Sequence, residues 1–251
     1  MNDPRPPQGA QAALRAVRLL KLFTRDQPEM TLSQLVGLSG LNKTTTHRLL
    51  RALRSESLIH RNPANGRYSL GPGLMALGVQ ALASNDLRRR VRPLLQSLAR
   101  DSGETATLEV PVENDMLILD EVAGRHVVGA IGYIGTRWPL HATSTGKAYL
   151  AFDLVSLERL STDLPSLTAN TLIRRESFQP QLDEIRRRGY ATSVDELEDG
   201  YTAVGTVIRS SFGDLLGALS IGGPTQRMPA GRCAELGTIL CQAVTRLDQR
   251  L

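Results

Sequence analysis

The sequence predicts an α+β protein in two parts: an N-terminal winged helix-turn-helix, then a larger domain built on a mostly antiparallel sheet. Two short helical patterns meet at Gly40, and a hairpin signal, Asn65-Gly66, follows the second of them. Strand-like runs interspersed with helical patterns fill the chain from Thr105 onward. Charge divides the same way: residues 1–85 hold 11 Lys and Arg against 4 acids, and residues 86–251 hold 19 against 21, so the parts carry +7 and −2 of the net +5. A basic first third joined to a near-neutral remainder is the electrostatic footprint of a nucleic-acid module with a separate second domain.

The elements follow in order. The opening MNDPRPPQGAQ has no apolar core and carries Pro4, Pro6 and Pro7, so a short disordered tail rather than a signal peptide is expected. Leu14, Val17, Leu20 and Phe23 recur at helical spacing and predict a first helix over Ala12–Thr24, broken by Gln27-Pro28. Thr31 and Gln34 have the form of a capping box for a second helix over Leu32–Ser39. A third helix is predicted over Asn42–Ser55. On a wheel, Asn42, Thr46, Leu49, Leu50 and Leu53 fall on one side, and Thr44, His47, Arg48, Arg51 and Ser55 on the other. The second side holds hydroxyls, imidazole and guanidinium and no acid, which suits phosphates and base edges. Leu58–Arg61 and Arg67–Leu70 then form the strands of a wing, with Arg61 and Arg67 flanking its tip.

The stretch from Thr31 to Gly78 resembles the winged helix-turn-helix of the IclR family of bacterial regulators. The run Lys43-Thr44-Thr45-Thr46-His47-Arg48-Leu49-Leu50 and the closing Gly66-Arg67-Tyr68-Ser69-Leu70-Gly71 carry the likeness. One departure is Asn42, where the family often has proline; asparagine is itself a good N-cap. The acid-free side of the third helix predicts DNA contacts from Thr44, Thr45, His47, Arg48 and Arg51, joined by Arg61 and Arg67 of the wing, for which a solvated surface is the alternative.

Residues 74–84 are almost wholly apolar or small and read as a linker helix; residues 86–101 read as an amphipathic helix whose arginines, Arg88 to Arg90 and Arg92, are solvated or salt-bridged. Strands are expected at 105–110, 116–122, 126–134, 190–195, 202–209 and 215–221, with helices near 145–152, 157–161 and 178–188 and a last one through Leu236, Leu240 and Leu247. Leu140–Ala148 (LHATSTGKA), Arg187–Ala191 and Leu219–Pro224 are similar to landmarks of the same family's effector-binding domain. The resemblance thus spans nearly the whole chain and implies a GAF-like fold that binds small metabolites, often organic acids. Domains are expected at 10–73, 74–85 (the linker helix) and 86–251.

Thr143-Ser144-Thr145-Gly146 offers hydroxyls and amides at a helix start, which favours a carboxylate; capping by Ser144 or Thr145 is the structural alternative. The resemblance adds the turn at Val194 and Asp195, then Ala203, Ser220 and Gly222, to Ser144, Thr145 and Gly146 as effector-binding positions. Val194 and Ala203 stand where relatives often carry an acid and a cysteine, and Gly222 where some carry serine. These changes imply a less polar or larger effector than a two-carbon keto acid.

Catalytic patterns are not legible. Gly146-Lys147 lacks the glycine and hydroxyl of a Walker loop, so Lys147 is expected to be a structural or salt-bridging residue. No nucleophile elbow surrounds Ser144 beside His141. His47, His60, His126 and His141 show no metal-ligand spacing, so neither metal nor cofactor is expected. Asp195, Glu196, Glu198 and Asp199 read as a solvated loop, and Cys233 and Cys241 as buried free thiols. No run approaches the roughly 18 apolar residues of a membrane helix, so a cytoplasmic protein with no membrane partner is expected. The reading is a regulator that binds operator DNA as a homodimer, with a homotetramer as the further option, and responds to an organic or aromatic acid. An enzyme fused to a DNA-binding domain and a ligand-free architectural DNA binder are the alternatives.

Overall fold

The structure is a computed structural model and describes residues 10–24, 26–126 and 133–248. The chain folds as two compact units that divide between Ser84 and Asn85. The first contains α1 (Gln11–Leu20), β1 (Glu29–Met30), α2 (Leu32–Ser39), α3 (Lys43–Ser55), β2 (Ile59–Arg61), β3 (Tyr68–Leu70) and α4 (Pro72–Ser84). α1 stops short of the expected Thr24. Leu22 and Phe23 donate to Leu19 and Leu20, tightening the last turn, and the Gln27 amide donates to the Thr24 hydroxyl to close a separate turn. The capping box of α2 is complete, and Gly40 at φ 66° makes the left-handed turn into α3.

α3 starts where Asn42 Oδ1 accepts the Thr45 amide at 2.8 Å. Its apolar stripe, Leu49, Leu50 and Leu53, packs on Leu19, Met30, Leu35 and Ile59 to form the core of this unit. Asn42→Ala is expected to cost about 1 kcal/mol. That should speed amide exchange in the first turn of α3 roughly fivefold; unchanged exchange by mass spectrometry would remove the cap from the account. β1, too short for any periodicity, was not expected; it pairs with β3, giving an antiparallel sheet of order β1-β3-β2. The first turn of α4 is pinned to this unit, since Gly71 and Gly73 donate to Leu58 and Ser57 at 2.8 and 2.9 Å. Beyond it, Met75, Leu77 and Val79 are exposed.

The second unit contains α5 (Asp86–Ser102), β4 (Thr105–Val112), β5 (Asp115–Val122), β6 (Arg137–Pro139), α6 (Ser144–Phe152), α7 (Leu154–Arg159), a 3-10 turn at Arg175–Phe178, α8 (Gln179–Arg188), β7 (Ala191–Val194), β8 (Tyr201–Arg209), β9 (Leu215–Pro224) and α9 (Ala230–Asp248). The described strands make one antiparallel sheet of order β6-β5-β4-β9-β8-β7. Of the strand expected at 126–134, residues 127–132 lie outside the described residues; Tyr133 to Thr136 form a turn, and β6 follows it. Alternation along β8 sorts the layers: Gly205 and Val207 face α6, and Thr206 faces Cys241 on α9.

Charged groups settle as pairs. Arg88 and Arg92 reach buried Asp120, and Arg89 and Arg90 bond Asp86. Lys147, 1% exposed, bridges to Glu196 at 2.5 Å. The acidic run is therefore not wholly solvated, as the sequence implied. Glu196 is buried, and Asp195, at φ 53°, accepts the Gly200 amide and the Thr225 hydroxyl; Glu198 and Asp199 are exposed. The thiols are free, Cys233 buried and Cys241 half-buried.

Candidate nucleic-acid interface and ligand pocket

The outward side of α3 stands clear of the first unit. Thr44, His47, Arg48, Arg51 and Ser55 are all exposed, while Thr45 is half-buried beside the N-cap. Lys43, Thr44, His47, Arg48 and Arg51 line one shallow groove with Leu32 and Ser55. A second depression joins His47 and Arg51 to Arg54 and to Arg61 and Tyr68 of the wing. Arg61 lies over the Tyr68 ring at 5.7 Å and donates to the Gly66 carbonyl, so its guanidinium is held against the wing's own turn. The Arg67 side chain is exposed, and its amide is fixed by Asn65 Oδ1 at 2.9 Å. The exposed helix and the wing thus present cations and hydroxyls along one continuous run of the unit, with no acid among the lining groups.

In the second unit, a cavity of about 60 Å³ opens between the start of α6 and the sheet. Ser144 and Thr145 line it from α6, Ala203 and Tyr201 from β8, and Ser220 from β9. Thr143, not Ser144 or Thr145, caps the helix, accepting the Gly146 amide at 3.0 Å. Among the remaining expected positions, Gly146 lies behind the cavity against Leu140, Val194 is exposed, Asp195 closes the turn described above, and Gly222 makes room for Tyr201. A Cβ at position 222 would come within 2.1 Å of the Tyr201 hydroxyl oxygen.

Sequence reasoning missed the most charged group of the cavity. Glu109 on β4 is buried at its floor, where Thr145 donates to one carboxylate oxygen at 2.6 Å and Thr107 to the other at 2.7 Å. Ser220 meets Thr107 at 2.7 Å. Burial pushes the Glu109 carboxyl above its ordinary range, and the hydroxyls of Thr145, Thr107 and Ser220 pull it partly back. Burial also drives the Tyr201 phenol well above its usual range, with Glu109 adding to the effect. Where Val194, Ala203 and Gly222 offer no polar side-chain group, β4 adds Glu109 and Thr107 to the cavity. The signal was present in TATLEVPV: period two puts Thr105, Thr107 and Glu109 on one face.

A family described as the bacterial transcriptional regulator IclR C-terminal domain matches residues 79–249, and the IclR helix-turn-helix domain matches residues 12–63. The chain belongs to the IclR family. It is an IclR-type DNA-binding regulator with a C-terminal effector-binding domain. Among its relatives, the glycerol operon regulatory protein of Streptomyces griseus is 34% identical over 95% of this chain and 96% of its own length. The structure of an IclR regulator from Alicyclobacillus acidocaldarius shares the fold with a TM-score of 0.82 and 27% identity, covering 95% of this chain and 97% of that one. An IclR homolog from Microbacterium hydrocarbonoxydans, complexed with 4-hydroxybenzoate, aligns with a TM-score of 0.77 and 25% identity over 96% of this chain and all of that one. The IclR helix-turn-helix is the operator-binding part, and the α+β unit is the part that takes a small-molecule effector. Among the described residues, no helix is long and apolar enough to cross a membrane.

Proposed function

We propose that this IclR-type regulator binds its operator through α3 and the wing, and that a small metabolite bound in the α+β domain sets its operator affinity. The acid-free, exposed side of α3 carries the reading. Thr44 and His47 meet base edges in the major groove; Arg48, Arg51 and Arg67 serve phosphates or guanines, and Thr45 and Arg61 hold the contact surface. Ser144, Thr145, Ala203 and Ser220 face the metabolite, while Gly146, Val194, Asp195 and Gly222 shape the walls and turns behind them. The working domains are residues 10–73, the linker 74–85 and residues 86–251. The exposed apolar side chains Met75, Leu77 and Val79 of α4 support a homodimer, or a homotetramer built from it, acting in the cytoplasm. A dimer places two recognition helices about one helical turn of DNA apart. The metabolite then acts by binding one arrangement of the domains more tightly than another.

The family resemblance implies an organic acid, and the relative complexed with 4-hydroxybenzoate makes an aromatic acid a natural first trial. The cavity, at about 60 Å³, is less than half the roughly 150 Å³ that accommodates benzene, so a ring requires its walls to move. Gel-shift titration of operator fragments recovered with the purified protein, with and without glyoxylate and benzoate, tests the reading. No sequence preference in the retained DNA, or an operator affinity that no metabolite changes, would overturn it. Arg51→Ala is expected to weaken binding and to lower the slope of log affinity against log salt by about one. An unchanged slope and affinity would remove Arg51 from the phosphate contacts.

A further inference from the structure

Among the described residues, the other buried carboxylates meet cations. Arg227 holds Glu104 at 2.6 Å, Arg92 holds Asp120 at 2.6 Å and Lys147 holds Glu196 at 2.5 Å. Glu109 is equally buried, yet its partners are the hydroxyls of Thr145, Thr107 and Ser220. A carboxylate has about four acceptor positions, so these hydroxyls leave it able to take further donors from the cavity side. An ionised carboxylate without a positive partner is costly to keep in a protein interior. Among the described residues, the cavity lining adds a second acid, Glu198 at the rim, and includes no Lys, Arg or His. Glu121 stands behind the wall, accepting the Tyr133 amide at 3.0 Å.

The walls suit the same charge. Tyr133 and Trp138 meet edge to face, with centroids 5.9 Å apart, and Tyr201 completes an aromatic side. Aromatic faces attract cations.

We propose that the cavity takes a small primary amine in its ammonium form, anchored by the Glu109 carboxylate and walled by Tyr133, Trp138 and Tyr201. The inference rests on the reading of this unit as the effector sensor. The ammonium group donates to Glu109 and to the hydroxyls of Thr107 and Ser220, and its positive charge supplies what the floor of the cavity lacks. The volume of about 60 Å³, against roughly 10–15 Å³ of the same measure for one water, suits a ligand of a few heavy atoms, such as a short amino alcohol. An organic anion in this place meets Glu109 at short range in a medium of low dielectric. A neutral polyol finds hydrogen bonds but leaves the charge unbalanced. Burial pushes the Glu109 carboxyl above its ordinary range, and an ammonium group beside it favours the ionised form.

Isothermal titration of the full-length protein with methylamine, ethanolamine and 1-amino-2-propanol tests the proposal, with glycerol, glyoxylate and benzoate as the neutral and anionic comparisons. At least one amine is expected to bind more tightly than all three comparisons. Glu109→Gln, which keeps the shape and removes the charge, is expected to weaken it at least tenfold. In the wild-type protein the amine's affinity is expected to fall as the pH is lowered, because protonating Glu109 removes the anion that holds it, a readout independent of how well the variant folds. Tighter binding of glycerol or of either anion, undiminished affinity in a folded Glu109→Gln variant, or no binding by any of the amines overturns the inference. If glyoxylate or benzoate alters operator affinity while the amines do not, the sensor reading stands and only the amine falls. If no compound in a broad metabolite set alters operator affinity, the sensor reading itself fails.

Discussion

Gly146→Ala is expected to destabilise the second unit by about 3 kcal/mol or more, over half of its total stability if that lies near the low end of the usual 5–15 kcal/mol. Gly146 lies in the first turn of α6, where a Cβ would come within 2.2 Å of the Leu140 carbonyl oxygen and 2.5 Å of its Cα. Both are backbone atoms, and Leu140 and Ala148 belong to the packed core under the helix, so no flexible side chain can yield. The methyl group therefore forces α6 away from the sheet. That movement also carries Ser144 and Thr145 away from β8, against which Gly205 is already in close contact with them. Gly231→Ala is the control: no atom lies within 4 Å of its would-be Cβ on α9, and the change should stabilise by about 0.4–1 kcal/mol. The chain has one tryptophan, Trp138, and it sits in the second unit, so its fluorescence in urea follows that unit separately. Midpoints for the two variants within experimental error of each other would refute the steric account.

The same residues show how far the sequence could be read. The exposed side of α3 was legible because its logic is local. Asn42 caps the helix that follows it, the helical period sorts Thr44, His47 and Arg51 from Leu49 and Leu50, and Asn65-Gly66 sets the wing turn. The cavity was legible only where a recognisable motif supplied it, at Ser144 and Thr145, and at the strand positions Ala203 and Ser220. Glu109 escaped notice because only Thr107 lies near it along the chain; the other hydroxyls arrive from α6 and β9, and burial of the acid depends on those elements. Gly222 was read as a lost serine, yet glycine inside a strand also signals close approach, here of the Tyr201 hydroxyl. β1 and β6 were missed since two or three residues show no period. The acidic turn was misjudged at Glu196 for a related reason: what buries it is Lys147, on a helix far back in the sequence.

That pair sets up the second large effect. Lys147→Met is expected to cost about 3–5 kcal/mol, the usual result of leaving one member of a buried pair without its partner. Lys147 is 1% exposed, and its ammonium reaches Glu196 at 2.5 Å and Gln181 at 3.3 Å. Burial pushes the Lys147 amine below its ordinary range, while Glu196 pulls it back up, so the pair is held against a real desolvation cost. Removing the cation alone leaves Glu196 buried without its ion-pair partner, and one of its oxygens already has no hydrogen-bond partner. Removing both charges, as Lys147→Met with Glu196→Gln, should recover most of the loss, because the double variant no longer desolvates any charge there. The consequence reaches the cavity. Glu196 precedes Leu197 and Glu198, which line it, and the backbone of this turn is otherwise tied down by Thr168 and Thr171 at 2.6 and 2.7 Å. Lys147→Met should therefore loosen the ligand site while the separate first unit keeps its operator contacts. Urea midpoints for the two single variants and the double one give the coupling directly. Additive losses, with the double variant the least stable of the three, would mean that Lys147 and Glu196 act separately and that the turn is held by its hydroxyl bonds alone.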